Sequence, residues 1–348
     1  MTPERALAAA QASSDLDAEQ MEALMRSIMA GDVEPATLKS LLIAWRDKGE
    51  AVSEIVGAAR AMRACSVRIQ IDAPQILDTC GTGGDGLGTF NVSTAVAIVA
   101  AAAGITVAKH GNRAVSSNSG SADVLATAGL AIDLQPDSVR RCIEEAGIGF
   151  LFAPSHHPAM RHAAPVRKEI GTRTLFNLLG PLTNPAGATH QLIGLFDARW
   201  LTPYAETLAE LGSTRAMAVH SRDGMDELSL NAPTDYALLD EGEVSTGTLD
   251  PQAYGLDPVD PESLQAGSAE DSLAMIREAF SGKPSPAADL ICLNAGAALH
   301  TAGHVGDIAD GIHQARITLE DGSAATKLDQ LAQVTQRLKQ EEADADAG

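Results

Sequence analysis

Aromatic residues make up only 3% of this 348-residue chain. Its apolar residues, 45% of the total, are therefore mostly Ala, Leu, Val and Ile, and they suffice for one large or two ordinary domains. Positive charge is scarce as well. Lys and Arg number 25 against 46 Asp and Glu, a formal net charge of −21. A field of that sign argues against nucleic acid or an anionic membrane surface as partner. A polyanionic ligand must then be captured by local cations or metal. The four cysteines, Cys65, Cys80, Cys142 and Cys292, show no CxxC spacing. That favours reduced thiols in a cytoplasmic protein over disulfides or zinc. The first twenty residues carry early acids and no long apolar core, unlike a signal peptide. The longest apolar run, Ala95 to Ala103, is too short to span a bilayer.

Residues 1–72 read as helical. Met21, Leu24, Met25 and Ile28 recur at helical spacing, as do Leu38, Leu41, Leu42 and Trp45, with Pro35 opening the second segment and Gly31 and Gly49 as stops. A third segment follows from about Val52 to Cys65. Short helices of this kind bury little alone, so their apolar stripe is expected either to form a dimer surface or to pack on the rest of the chain. From Ile76 the rhythm changes to strand–helix alternation, which predicts a mainly parallel sheet with helices on both faces. Expected strands are Ile76–Thr79, Ile105–Ala108, Phe150–Phe152, Gln191–Leu195, Ala216–His220, Tyr236–Leu239 and Leu290–Leu293. Residues 159–180 read as a helical return towards the N-terminal bundle, and residues 250–270 as a long surface loop. The expected division is 1–72 helical and 73–348 α/β.

Five glycines fall within Gly81–Gly88, between a short apolar lead-in and an Ala-rich segment. Bare backbone N–H groups ahead of a helix N-terminus suit an anion. Gly81 to Gly86 formally satisfies G-x-G-x-x-G, yet the second strand ends on Lys109-His110, where a dinucleotide fold needs an acid. No Gly-Lys-Ser/Thr follows, which excludes a Walker loop. Asn91 to Thr94 stand where the helix begins and suit either a plain cap or a phosphate contact. Lys109 to Arg113 with Ser116 and Ser117 follow the second strand, at the same sheet edge, and suit a phosphorylated sugar. Asp226-Glu227 follows another strand, and such a carboxylate pair is a candidate Mg²⁺ site. His156, His157 and His162 do not show a zinc spacing.

In order along the chain stand GTGGD, NVST, KHGNRAVSS with GSAD, VRKEIGTRTLFNLLGPLTNP and DGMDE. Together they resemble the anthranilate phosphoribosyltransferase family over nearly the whole chain. The resemblance implies a small N-terminal helical domain and a large α/β domain of the nucleoside phosphorylase class II type, paired as a homodimer through the helices. It implies transfer of phosphoribosyl from 5-phosphoribosyl 1-diphosphate (PRPP) to the amine of anthranilate, the second step of tryptophan biosynthesis from chorismate. By matching position, PRPP would be held by Gly81, Gly84, Asp85, Thr89, Asn91, Val92, Ser93, Thr94, Lys109, His110, Gly111, Asn112, Arg113, Ala114, Val115, Ser116, Ser117 and Ser121. Mg²⁺ would be bound by Ser93, Asp226 and Glu227. Anthranilate would meet Gly81, Asn112 and Arg167, with His110 and Pro181 lining its path. The alternatives are a pyrimidine nucleoside phosphorylase, an inactive nucleic-acid-binding paralogue and an NADP-dependent reductase.

Overall fold

The computed structural model describes residues 1–114 and 118–347. Its first elements are four helices, α1 (Pro3–Gln11), α2 (Ala18–Ala30), α3 (Pro35–Lys48) and α4 (Val52–Cys65). Their ends follow from local chemistry. The Asp17 carboxylate accepts from Gln20 N–H at 2.8 Å, Gly31 closes α2 in the left-handed region, and Pro35 opens α3. The residues of the two helical stripes, Met21 to Ile28 and Leu38 to Trp45, are buried within the single chain. They share one apolar core with Ala163, Val166 and Phe176, and with one face of the sheet through Ala216, Ala218 and Ala237. Of the two expected uses of the stripe, packing on the rest of the chain is therefore the one seen.

The chain continues through β1 (Leu77–Asp78), α5 (Val92–Ala102), β2 (Val107–Gly111), α6 (Ser121–Thr127), α7 (Pro136–Ala146), β3 (Ile148–Phe152) and α8 (Ala153–His156). Next come α9 (Ala164–Ile170), α10 (Phe176–Leu179), β4 (His190–Gly194), α11 (Leu201–Glu210), β5 (Arg215–Ser221), β6 (Thr234–Asp240) and β7 (Glu243–Leu249). Four helices complete it: α12 (Ala269–Ala279), α13 (Pro286–Thr301), α14 (Ile308–Glu320) and α15 (Ser323–Ala347). Among the described residues no helix is long and apolar enough to cross a membrane. The four cysteines are free thiols.

The sheet order is β3-β2-β1-β4-β5-β6-β7. Pairing is parallel from β3 to β5 and antiparallel at β5–β6 and β6–β7. Two expectations are corrected here. Leu290–Leu293 is not a strand; it lies inside α13, which is buried on nearly every side. A short apolar run enclosed all round has no periodicity to separate strand from helix. In the other direction, β7 is an addition to the expected strands, hidden from a hydrophobic pattern because this outermost strand is mostly exposed and polar. The expected helical return is broken into a 3₁₀ turn at Pro158–His162 and the short α9 and α10.

Strand β1 has β2 on one side and β4 on the other. The chain runs outward from β1 to β3, then returns to start again at β4. Crevices beyond the C-terminal ends of parallel strands at such a reversal are where open α/β sheets take ligands.

Candidate active site

A cleft of about 880 Å³, counting the space open to solvent, lies at that reversal. The glycine loop, the start of α5 and the segment after β5 form its walls. Of the residues named from sequence, Gly81, Gly84, Asp85, Thr89, Asn91, Ser93, Asp226 and Glu227 line it. The loop turns through left-handed backbone at Gly83, Gly84, Gly86 and Gly88, which only glycine adopts without strain. Gly194, at the end of β4, carries no signal in the sequence. A Cβ there would collide with the Asp226 carbonyl oxygen, so the bare backbone is what lets the acidic segment reach the cleft.

Lys109 is 3% exposed and, from β2, reaches the back of the cleft wall without lining the cleft itself. Its Nζ donates to the Thr79 carbonyl at 3.1 Å and to the Thr79 and Ser93 hydroxyls at 3.4 Å each. Burial lowers its pKa. Across the cleft, the Ser93 N–H donates to Glu227 Oε1 at 3.0 Å. A carboxyl thus already sits at the N-terminus of α5, where the helix field favours an anion. Asn91 stands at the N-cap position of that helix, but its side chain makes no capping hydrogen bond. Its Oδ1 accepts from Ser119 Oγ at 2.8 Å and Ser272 Oγ at 2.9 Å, tying the glycine loop to α12.

The carboxyls show strong mutual stress. Asp226 is pushed up to about 7, first by burial and then by the charge of Asp85, to which it is hydrogen-bonded. Glu227 is raised well above the usual range by burial and by Asp226. Carboxylates crowded so closely call for a cation. Among the described residues no group of three His, Cys, Asp or Glu forms a closed metal cage. Mg²⁺ does not need one, because it keeps waters and takes phosphate oxygens alongside one or two carboxylates. The donor set of Ser93, Asp226 and Glu227 fits that habit.

The other residues named from sequence lie around the cleft rather than in it. Val92 is fully buried in the core, and Thr94 lines a second, small pocket together with Lys109. Asn112 and Arg113 are exposed on the loop after β2, and the Arg113 guanidinium pairs with Asp123 at 2.8 Å. The same carboxylate accepts from Ala114 N–H at 3.0 Å and Gly120 N–H at 2.9 Å, which closes the loop. Gly111 packs so closely against Ser121 that a Cβ would meet its Oγ. Val115, Ser116 and Ser117 lie outside the described residues.

The acceptor side is expected around His110, Arg167 and Pro181. Burial, first of all, and the neighbouring His157 push His110 down to about 3, so its ring is neutral. Its Nδ1 lies 3.2 Å from the Gly180 carbonyl, and its Nε2 is buried without a partner among the described residues. Arg167 does not line the cleft. It is half-buried, its guanidinium 5.2 Å from the centre of the Phe176 ring, with no hydrogen bond or ion pair among the described residues. Such a cation is free to receive a carboxylate.

Two more residues, Asp78 and Asn294, escape the sequence reading, whereas Asn184 stands in the rigid Gly180–Pro185 turn that the sequence suggests as a wall. Asp78 accepts from His110 N–H at 3.1 Å and from Asn184 Nδ2 at 2.7 Å, joining β1, β2 and the Gly180–Pro185 turn. Asn294, from α13, brackets the acidic segment by bonding Leu228 N–H and C=O at 3.0 and 2.9 Å. An Asn inside so apolar a run is the available signal.

A helical bundle beside an α/β sheet with a ligand cleft at the strand reversal is an arrangement whose class the two domain matches give, a glycosyl transferase. Residues 5–66 match the helical bundle domain of the Glycosyl transferase family, and residues 73–325 match its a/b domain. The curated anthranilate phosphoribosyltransferase of Thioalkalivibrio sulfidiphilus is 50% identical over 335 residues, 96% of this chain and 99% of its own. The crystal structure of anthranilate phosphoribosyltransferase from Thermus thermophilus superposes with TM-score 0.89 at 42% identity, covering 95% and 99% of the two chains. The Saccharomyces cerevisiae enzyme in complex with PRPP and Mg gives TM-score 0.85 at 27% identity, covering 92% and 94%. The chain belongs to the anthranilate phosphoribosyltransferase family. None of these relatives favours a nucleoside phosphorylase, a nucleic-acid-binding protein or a reductase.

Proposed function

We propose that this cleft transfers the phosphoribosyl group of PRPP to the amine of anthranilate, giving N-(5-phosphoribosyl)anthranilate and diphosphate. The observation that carries the reading is the convergence of the glycine loop, the start of α5 and the Asp226-Glu227 pair on one cleft at the strand reversal, with Lys109 bonded from behind to Ser93 in its wall. In this reading the loop from Gly81 to Thr94 and the segment from Lys109 to Ser121 hold PRPP. Ser93, Asp226 and Glu227 hold Mg²⁺, which when bound offsets the charge of the diphosphate. The anthranilate nitrogen attacks the anomeric carbon as the bond to the diphosphate oxygen breaks, and the new amine then loses a proton. Negative charge grows on the leaving group, and the Lys109 ammonium, set behind Ser93 and Thr79 in the cleft wall, offsets it through that wall; fixed charge of this kind acts without reorganisation. An aromatic amine is unprotonated at neutral pH, so no strong general base is required. The neutral ring of His110 agrees with that. Mixing the protein with PRPP, Mg²⁺ and anthranilate is expected to abolish anthranilate fluorescence, and no change with competent controls would refute the reading.

Asn112 and Gly81 stand at the acceptor's edge in this reading, and Arg167 meets its carboxylate through a charge-assisted contact. Arg167→Ala is then expected to raise the KM for anthranilate by about 10- to 100-fold, the loss of one or two charge-assisted hydrogen bonds, while the KM for PRPP changes little. Equal damage to both constants would sink this role. The division at residue 72, a cytoplasmic location and a homodimer through the N-terminal helices belong to the same reading. Because the apolar stripes of α2 and α3 are covered within the chain, the pairing falls to the remaining faces. Light scattering is expected to give twice 36.0 kDa, and a monomer at working concentration would remove the dimer.

A further inference from the structure

One cation near the cleft is left without a role by the reading above. Arg173 lies between α9 and α10, on the acceptor side, and is exposed. Its guanidinium stacks over the Phe196 ring, with Cζ 4.1 Å from the centroid. Its Nη2 donates to the Gly84 carbonyl, so it bridges from the acceptor wall to the glycine loop. Phe196 is held in turn, because its N–H donates to Thr82 Oγ1 at 3.1 Å.

The loop needs such a hold. With left-handed glycines at 83, 84, 86 and 88 its backbone has wide freedom. Thr82 N–H anchors one end on the Gly194 carbonyl at 2.8 Å. Gly83 N–H donates to the Asp226 carboxyl. Beyond these, Arg173 fixes the next peptide plane. In a trans peptide the carbonyl and the following N–H point in opposite directions. Turning the Gly84 carbonyl onto Arg173 therefore turns the Asp85 N–H away from it. That N–H has no acceptor within the described residues. Gly84 and Asp85 both line the cleft. A planar guanidinium stacked on a ring can hold this orientation; a lysine ammonium has neither the plane nor the fork.

We propose that Arg173 is a positioning residue for the donor substrate: stacked on Phe196, it locks the Gly84–Asp85 peptide so that a free N–H is presented to the phosphates of PRPP. This rests on the phosphoribosyl-transfer reading. It also makes the donor loop depend on a residue of the acceptor wall.

The test is steady-state kinetics with calorimetric PRPP binding in the presence of Mg²⁺, on the wild type, Arg173→Ala and Arg173→Lys. Arg173→Ala is expected to raise both the KM and the Kd for PRPP about tenfold, as for one charge-assisted hydrogen bond. The KM for anthranilate is expected to stay within about twofold and Tm within about 1–2 °C, as for an exposed side chain. Arg173→Lys should recover only part of the loss. Unchanged PRPP constants in Arg173→Ala would overturn the inference. So would full recovery by lysine, which would make charge alone sufficient, or a joint rise of both KM values with a fallen Tm. A wild type that neither binds nor consumes PRPP would instead fail the parent reading, and this inference with it.

Discussion

Replacing Asp226 and Glu227 together by alanine is expected to lower kcat/KM by about 100- to 1000-fold, the usual loss when a charge-stabilising element leaves a transition state. Two side chains go at once, but they act as a unit, so the losses should not multiply. The pH dependence is a separate check. Asp226 stands at about 7, held up by burial and then by Asp85. Its charged form is the one that attracts a cation. A proton and Mg²⁺ therefore compete for it, and the proton wins more often as pH falls through about 7. The Mg²⁺ concentration for half-maximal activity of the wild type is expected to rise as pH is lowered from about 8 to about 6, a span centred on that pKa. Glu227, raised for the same reasons, moves the effect in the same direction. A flat Mg²⁺ requirement across that range, or a double variant with wild-type metal dependence, would remove the metal role. Stability should move the other way. Both carboxyls are disfavoured as anions in the folded chain, so their removal without metal should leave Tm unchanged or raise it.

How much of this is legible depends on whether local chemistry or distant packing decides. The helix starts and stops around Gly31, Pro35 and Gly49 are written in single residues, and they lie where expected. The glycine loop, the basic segment and the acidic pair after β5 can each be found, because each puts several polar or flexible residues beside a strand end; the basic segment is expected after the second strand, but Lys109 to Gly111 form the end of β2 itself, paired to β3. What cannot be read is which side chains turn inward. Arg113 has the look of a phosphate ligand, but it pairs with Asp123 ten residues on. Thr94 follows Ser93 directly, yet the helical turn sends it behind the cleft wall, to the small pocket that it shares with Lys109. The stretch 250–270 reads as a long surface loop, and it is one, largely exposed with two short 3₁₀ turns, but its contacts cannot be read. Phe90 N–H donates to the Leu264 carbonyl at 3.0 Å, and Ala266 N–H to the Gly88 carbonyl at 2.9 Å, so the loop clamps the glycine loop from outside. These contacts join residues more than a hundred positions apart. No periodicity or propensity reports them. The buried Asp78–Asn184 link is of the same kind. Each member looks ordinary in sequence, and only the fold sets one against the other.

Lys109→Met is expected to cut kcat by about 100- to 1000-fold while the fold survives, which separates charge from structure. The lysine is buried, and its three hydrogen bonds go to a carbonyl and two hydroxyls, all neutral. Among the described residues no carboxylate forms an ion pair with it. Its charge is thus desolvated and only distantly balanced by Asp78 and Glu227, which is a cost to the folded state. A methionine of similar length fills the space without that cost, and such replacements of buried charge are often neutral or stabilising. Tm is therefore expected to hold or rise in the variant. A structural lysine would show the opposite pattern, with activity near normal and Tm lowered. In the proposed transfer the charge has a use that offsets this cost. When the diphosphate departs, a negative charge appears beside Ser93 in a chain whose overall field repels it, and a fixed ammonium is the local means of holding it. If Lys109→Met keeps kcat within about tenfold of wild type, less than one preorganised donor ordinarily supplies, the leaving group is stabilised by other groups and this lysine is a relic of packing.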